Sequence, residues 1–137
     1  MFKWSEKYSV NIAELDNQHK KLFDIASNIY ELASLKDGYD HYDEINNLFD
    51  ELKSYAVYHF NTEEKLMEQY GFSGLDNHKI EHMFFVKKLN KIEKIDIDSN
   101  QNEALFELLN FTADWITGHI LKSDMEYKPH LNEKGIY

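Results

Sequence analysis

A chain of 137 residues holds one domain's worth of core, and the expectation is a single domain spanning residues 1–137. Its formal charge of -10 repels nucleic acid and anionic lipid. The absence of cysteine excludes disulfides, thiolate zinc sites and cysteine-ligated iron-sulfur clusters, so any metal must be taken by nitrogen and oxygen.

The opening MFKWSEKYSV carries no apolar leader, and MFFV at 83–86 is far too short to cross a bilayer. A cytoplasmic protein with no membrane or nucleic-acid partner is expected. In the first fifteen residues Phe2, Trp4, Tyr8, Val10 and Ile12 fall at even positions, which predicts an extended arm lying across the rest of the molecule. Residues 16–36 then read as a helix with Asp16 as N-cap, burying Leu15, His19, Leu22, Ala26, Ile29 and Ala33 at steps of four and three. From 40 to 70 the series Ile45, Leu48, Leu52, Ala56, His59, Glu63, Leu66, Tyr70 repeats the pattern, and Gly71 is a natural stop. A third helix, 76–94, aligns His78, His82, Phe85, Leu89 and Ile92. A fourth, from 99 into the 120s, aligns Leu105, Leu108, Thr112, Trp115 and His119. Four amphipathic helices with short connections predict an all-α fold, an up-down-up-down antiparallel four-helix bundle with an extended N-terminal arm.

The informative residues are polar ones in these apolar seams. Five of the seven histidines, His19, His59, His78, His82 and His119, occupy positions that the pattern reserves for core side chains, and every helix contributes. Burying an imidazole without a partner costs on the order of 1–3 kcal/mol and a lone carboxylate such as Glu63 costs more, so these groups need something to bond. One zinc would leave about three of seven such groups unpaired, because it takes four ligands. Two metals accommodate them all, carboxylates can bridge two cations, and iron suits a mixed imidazole and carboxylate set. The second acid is open on spacing alone. Asp124 follows His119 by five residues, about 140° around an ideal helix, and reaches the same centre only if that turn widens. Glu64 falls on the outer side and reads as a solvated charge. HKIEH at 78–82 matches the H-x-x-E-H pattern of a zinc peptidase family with Glu81 as general base, but this leaves His19, His59, Glu63 and His119 unexplained. No E-x-x-H occurs, unlike in ferritin-type di-iron bundles. His41 and His130 lie outside the seams and read as surface residues.

LDNQH ending at His19, HFNTEE from His59, HKIEH from His78 and HILKSD from His119 to Asp124, with WSEKYSVNIAELD ahead of them, together resemble the hemerythrins, in particular their stand-alone single-domain bacterial form. The resemblance runs nearly end to end. It implies reversible dioxygen binding, for storage, delivery or buffering, at an oxo- or hydroxo-bridged non-haem di-iron centre, and not an enzyme. His78, His82 and His119 would hold one iron, His19 and His59 the other, with Glu63 and Asp124 bridging. Dioxygen would take an open position on the two-histidine iron. The deoxygenated and oxygenated centres carry the same formal charge, so neither direction moves net charge through a low-dielectric pocket. Phe60, Trp115, Ile116 and Ile120 would form a dry wall there. The alternatives on the same ligands are a di-iron oxidase or peroxidase-type enzyme, or an oxygen-sensing module, and an unidentified oxygen-consuming or signalling partner would accompany either carriage or sensing. Ser73 stands where many relatives carry proline in the turn before the third helix.

Overall fold

The structure is a computed structural model that describes residues 3–35, 37–95 and 100–137. Phe2 of the expected arm and residue 99, the expected start of the fourth helix, lie outside them. Among the described residues five α-helices follow in order: α1 (Ala13–Ala33), α2 (Tyr42–Gln69), α3 (Leu75–Glu93), α4 (Gln101–His119) and α5 (Met125–Glu133). The first four form the expected antiparallel bundle, in which α1 packs on α2 and α4, and α3 on α2 and α4. No helix among the described residues is long and apolar enough to cross a membrane.

The predicted seams are buried at Leu15, Leu22, Ala26, Ile29, Ile45, Leu52, Ala56, Phe85, Leu89, Ile92, Leu105 and Leu108. In α2 the seam leans one residue over, so that Phe49 and Met67 are fully buried while Leu48 and Leu66 are only partly so. Gly71 ends α2 as expected. With φ of 69° it lets Phe72 N–H reach Met67 O at 2.9 Å and Gly71 N–H reach Glu68 O at 3.2 Å, the paired bonds of a Schellman cap. Neither bond involves the side chain of Ser73.

Three boundaries depart from expectation. α1 starts at Ala13, and Asp16 is not its N-cap. Its carboxylate instead accepts from Val10 N–H at 2.9 Å and from the Ser9 hydroxyl at 2.5 Å, tying the arm to the helix. The arm is interrupted by a 3-10 turn at Glu6–Tyr8, yet still buries Tyr8, Val10 and Ile12. The last departure is larger. After His119 the chain runs through a π-helical segment, Ile120–Asp124, and goes on as α5, with Pro129 inside it. The fully buried Tyr127 and Leu131 anchor α5 on either side of that proline.

The apolar interior is divided. A larger cluster runs from Leu22, Phe60, Ile116 and Ile120 along most of the bundle, and a smaller one gathers Val10, Ile12, Leu15, Met67, Tyr127 and Leu131. The inward-facing acids and histidines sit in the layer between them. His19 lies between Leu15 and Leu22 on α1, Glu63 between Phe60 and Met67 on α2, and Asp124 between Ile120 and Tyr127.

Candidate metal centre

Each inward polar residue is placed by a helical register that buries its neighbours three or four positions away. His19, on α1, and His59 with Glu63, on α2, come from adjacent helices. His78 and His82 are one turn apart on α3, and His119 ends α4. Asp124 comes inward because the π segment adds a residue to the turn, so the fifth residue after His119 returns to the histidine's face. The widening on which the sequence made an inward Asp124 conditional is what the backbone does.

All seven are buried, none more than 6% exposed, and all five histidines turn Nε2 toward the two carboxylates. Asp124 Oδ1 lies 2.8 Å from His78 and 3.0 Å from His119, and its Oδ2 lies 3.1 Å from His19. Glu63 Oε1 lies 3.2 Å from His82 and 3.3 Å from His59, and its Oε2 lies 3.5 Å from His19. Two sets of four bring one ligand atom from each residue within 4.8 Å of one another: Glu63, His78, His82, His119 and His19, His59, Glu63, Asp124. Glu63 belongs to both. Asp124, through its second oxygen, also touches the histidines of the first set.

The outer nitrogens have partners that sequence reasoning missed. His82 Nδ1 meets Glu64 Oε2 at 2.8 Å, so Glu64 is not merely a solvated charge. His119 Nδ1 meets Glu81 Oε1 at 3.2 Å, and the Ser123 hydroxyl donates to the same carboxylate at 2.6 Å. Glu81 is thus engaged as a brace for an imidazole. His59 Nδ1 meets Gln18 Oε1 at 2.6 Å. The Tyr127 hydroxyl donates to Glu63 Oε2 at 2.5 Å. Only the spacing of Glu64 and Glu81 next to ligand positions could have signalled these roles. His41 and His130 are partly buried rather than open surface residues: His41 bridges Asp37 and Glu44 at 3.0 and 2.8 Å, and His130 Nε2–H donates to Tyr70 O at 2.7 Å.

This donor set fits cations better than it fits itself. A carboxylate can only accept, so Glu64 and Glu81 fix the hydrogens of His82 and His119 on Nδ1. In their neutral forms the two Nε2 lone pairs then face each other across 3.2 Å, which is repulsive unless a positive charge joins them. Both ring nitrogens of His19, Glu63 Oε1 and Asp124 Oδ2 are buried without a hydrogen bond, their close approaches being out of line. In the metal-free protein protons take up part of this mismatch. Burial pulls the His19 imidazolium down, but Asp124 and Glu63 overcome it and raise the group to about 10. His119 is raised to about 9 against burial, chiefly by Asp124. Burial and the charge of Glu63 push Asp124 up, yet His119 and His19 hold it far below the usual carboxylate range; Glu63 is likewise held low against burial by His59, His19 and His82. Burial keeps His59 down. Two protonated imidazoles therefore balance two buried carboxylates.

Residues 10–131 match the model of the hemerythrin HHE cation-binding domain. The chain belongs to the hemerythrin family. Bacteriohemerythrin of Clostridium acetobutylicum is 40% identical over 127 residues, covering 93% of this chain and 98% of that one. Bacteriohemerythrin of Methylococcus capsulatus is 29% identical over 126 residues, 92% of each chain. A hemerythrin-like protein of Naegleria gruberi is 30% identical over 131 residues, 93% and 91% of the two chains. The crystal structure of a wild-type hemerythrin superposes with a TM-score of 0.76 at 26% identity, covering 96% of this chain and 98% of the other.

Beside these seven donors is a small cavity of about 10 Å³, lined by Phe60, Trp115, Ile116 and Ile120 together with Leu22. The four expected pocket residues are thus brought together, and Leu22 joins them. His19, His59, His119 and Asp124 form the polar side of the same space.

Proposed function

We propose that this hemerythrin-family chain binds dioxygen reversibly at a non-haem di-iron centre, for storage, delivery or buffering and without turnover. His78, His82 and His119 would hold one iron, His19 and His59 the other, and Glu63 and Asp124 would bridge them. When bound, such a pair of irons supplies the electrons that dioxygen takes up and gives back. The residues of the chain do the rest. Glu64, Glu81 and Gln18 each fix a hydrogen on the outer nitrogen of an imidazole, leaving Nε2 free to bind inward. Tyr127, whose burial keeps its phenol protonated, holds one oxygen of Glu63. Leu22, Phe60, Trp115, Ile116 and Ile120 exclude water from a cavity with space for about one small molecule. Apart from the ligands themselves no acid lines that cavity, which favours release of intact dioxygen over its activation.

The observation that carries this reading is Glu63 shared by two ligand sets next to an apolar cavity of diatomic size. The iron-loaded protein is expected to gain a visible absorption in air, lose it under vacuum and regain it at the same intensity. Irreversible bleaching coupled to consumption of a reductant would overturn carriage and make the protein an enzyme.

A further inference from the structure

Phe60 forms a wall of two separate spaces. One is the small cavity beside the candidate metal ligands. The other is an open groove of about 400 Å³ between α2 and α3, whose apolar side is made by Val57, Met83 and Val86. Among the residues that line the two, Phe60 alone belongs to both. The groove reaches solvent, since Val57 and Met83 are 39% and 63% exposed, whereas Phe60 at its floor is 4% exposed.

The Phe60 ring is positioned by aromatic packing. It stacks on His82 at 3.9 Å and 7°, and meets Phe85 and Trp115 edge-on at 5.6 Å. An apolar ring held by contacts of this kind has no hydrogen bond to break when it turns, and side-chain rearrangements of that type are fast compared with domain motions. Elsewhere the cavity is walled by Leu22, Ile116 and Ile120, each at most 3% exposed, by the half-buried Trp115 and by the buried ligands. Breaching the aliphatic walls means parting whole helices, and Trp115, stacked on His119 at 4.3 Å, is not among the residues that line the groove. Moving Phe60 means moving one side chain.

We infer that the groove between α2 and α3 is the entrance for small, uncharged, apolar molecules, and that Phe60 is its gate. The identity of the natural visitor as dioxygen rests on the function proposed above; the route itself follows from the packing. An anion gains nothing on this path, because the wall it must pass offers no donor and would strip its hydration shell. The polar groups at the groove do not change that: Glu64 is engaged with His82, and Asn61, Lys87 and Asn90 are exposed to solvent.

The test follows the passage of gas without using iron. In full-length protein loaded with redox-inert zinc and carrying Trp4→Phe, Trp115 is the remaining tryptophan, and it stands in the cavity wall. Quenching of its phosphorescence by dissolved dioxygen then reports arrival in the cavity. Groove-filling Val57→Phe and Met83→Phe are each expected to lower the quenching rate constant roughly threefold, and Phe60→Ala to raise it by a similar factor. Adding Met83→Phe to Phe60→Ala should remove that gain. If both groove-filling variants leave quenching unchanged, or if the gain from Phe60→Ala survives the filled groove, gas enters elsewhere and the gate is refuted. Should Phe60→Ala fail to fold, the two single groove variants decide alone. Failure of reversible oxygenation in the iron-loaded protein would leave this readout untouched, so the two readings fail separately.

Discussion

The two halves of the candidate centre are built differently. In the three-histidine half, His82 and His119 are braced by the carboxylates of Glu64 and Glu81, the latter itself fixed by Ser123. In the two-histidine half, His59 has only the neutral amide of Gln18, and the outer nitrogen of His19 has no partner. A carboxylate behind an imidazole raises its basicity and fixes its orientation more firmly than an amide does. The cavity is lined by both histidines of the weakly braced half and by only one of the other. Under the proposed function the contrast teaches a division of labour: one half would anchor, while the other, with fewer ligands and looser support, would meet the visitor.

The strongest way to break this contrast is to remove the residue common to both halves. Glu63→Ala should abolish nearly all iron binding, as measured by metal analysis of the purified protein; retention of either half at full occupancy would show that Glu63 is not shared. His59→Ala should be selective, lowering iron from about two per chain to about one, because the second set loses a member while the first stays whole. Full retention of both irons would remove His59 from the ligand set. One step out, Glu64→Gln and Glu81→Gln should weaken metal affinity about 10–100-fold in competition with a chelator, and Gln18→Ala less. An equal or larger cost for Gln18→Ala would erase the asymmetry.

Loading the metal-free protein with ferrous iron near pH 7.5 should release about two protons from the chain, those held by His19 and His119. Both groups are raised above their usual 6.5, so their favourable pairing in the metal-free fold is complete below that pH and is lost as pH rises through about 9 to 10. Proton release should decline over the same range; release independent of pH up to 10 would contradict these assignments. The smallest effect is expected at the cavity wall. Ile120→Ala should change the autoxidation rate while leaving iron content intact, and an unchanged rate would take Ile120 out of the pocket.

What the sequence revealed and what it hid divide along the direction each side chain faces. A histidine in a leucine register is conspicuous, so His19, His59, His78, His82 and His119 were readable from periodicity, whereas Asp124 was out of register on an ideal helix and was carried over by the family resemblance. Glu64 and Glu81 point away from the seam, where a carboxylate looks like any solvated charge, and only the folded geometry shows that each reaches an imidazole. Asp16 resembled an N-cap because its contact with Ser9 and Val10 is a tertiary bond to the arm. α5 was obscured by Pro129 and by polar flanks, since its hold on the molecule comes from two positions, Tyr127 and Leu131.

The π segment has an effect that extends past Asp124. Upstream, Leu108, Thr112, Ile116 and His119 make one buried stripe, and downstream Asp124, Tyr127 and Leu131 make another. These two stripes keep helical spacing internally but are out of step by a single amino acid, and the loosened coil absorbs that slip. Deleting one residue there, for instance Leu121, would swing the whole C-terminal rod by about a quarter turn and carry Tyr127 and Leu131 out of their apolar nest along with the acid. A local irregularity in the backbone is therefore what lets the final rod serve as floor to the buried polar layer and as lid to the smaller core at once.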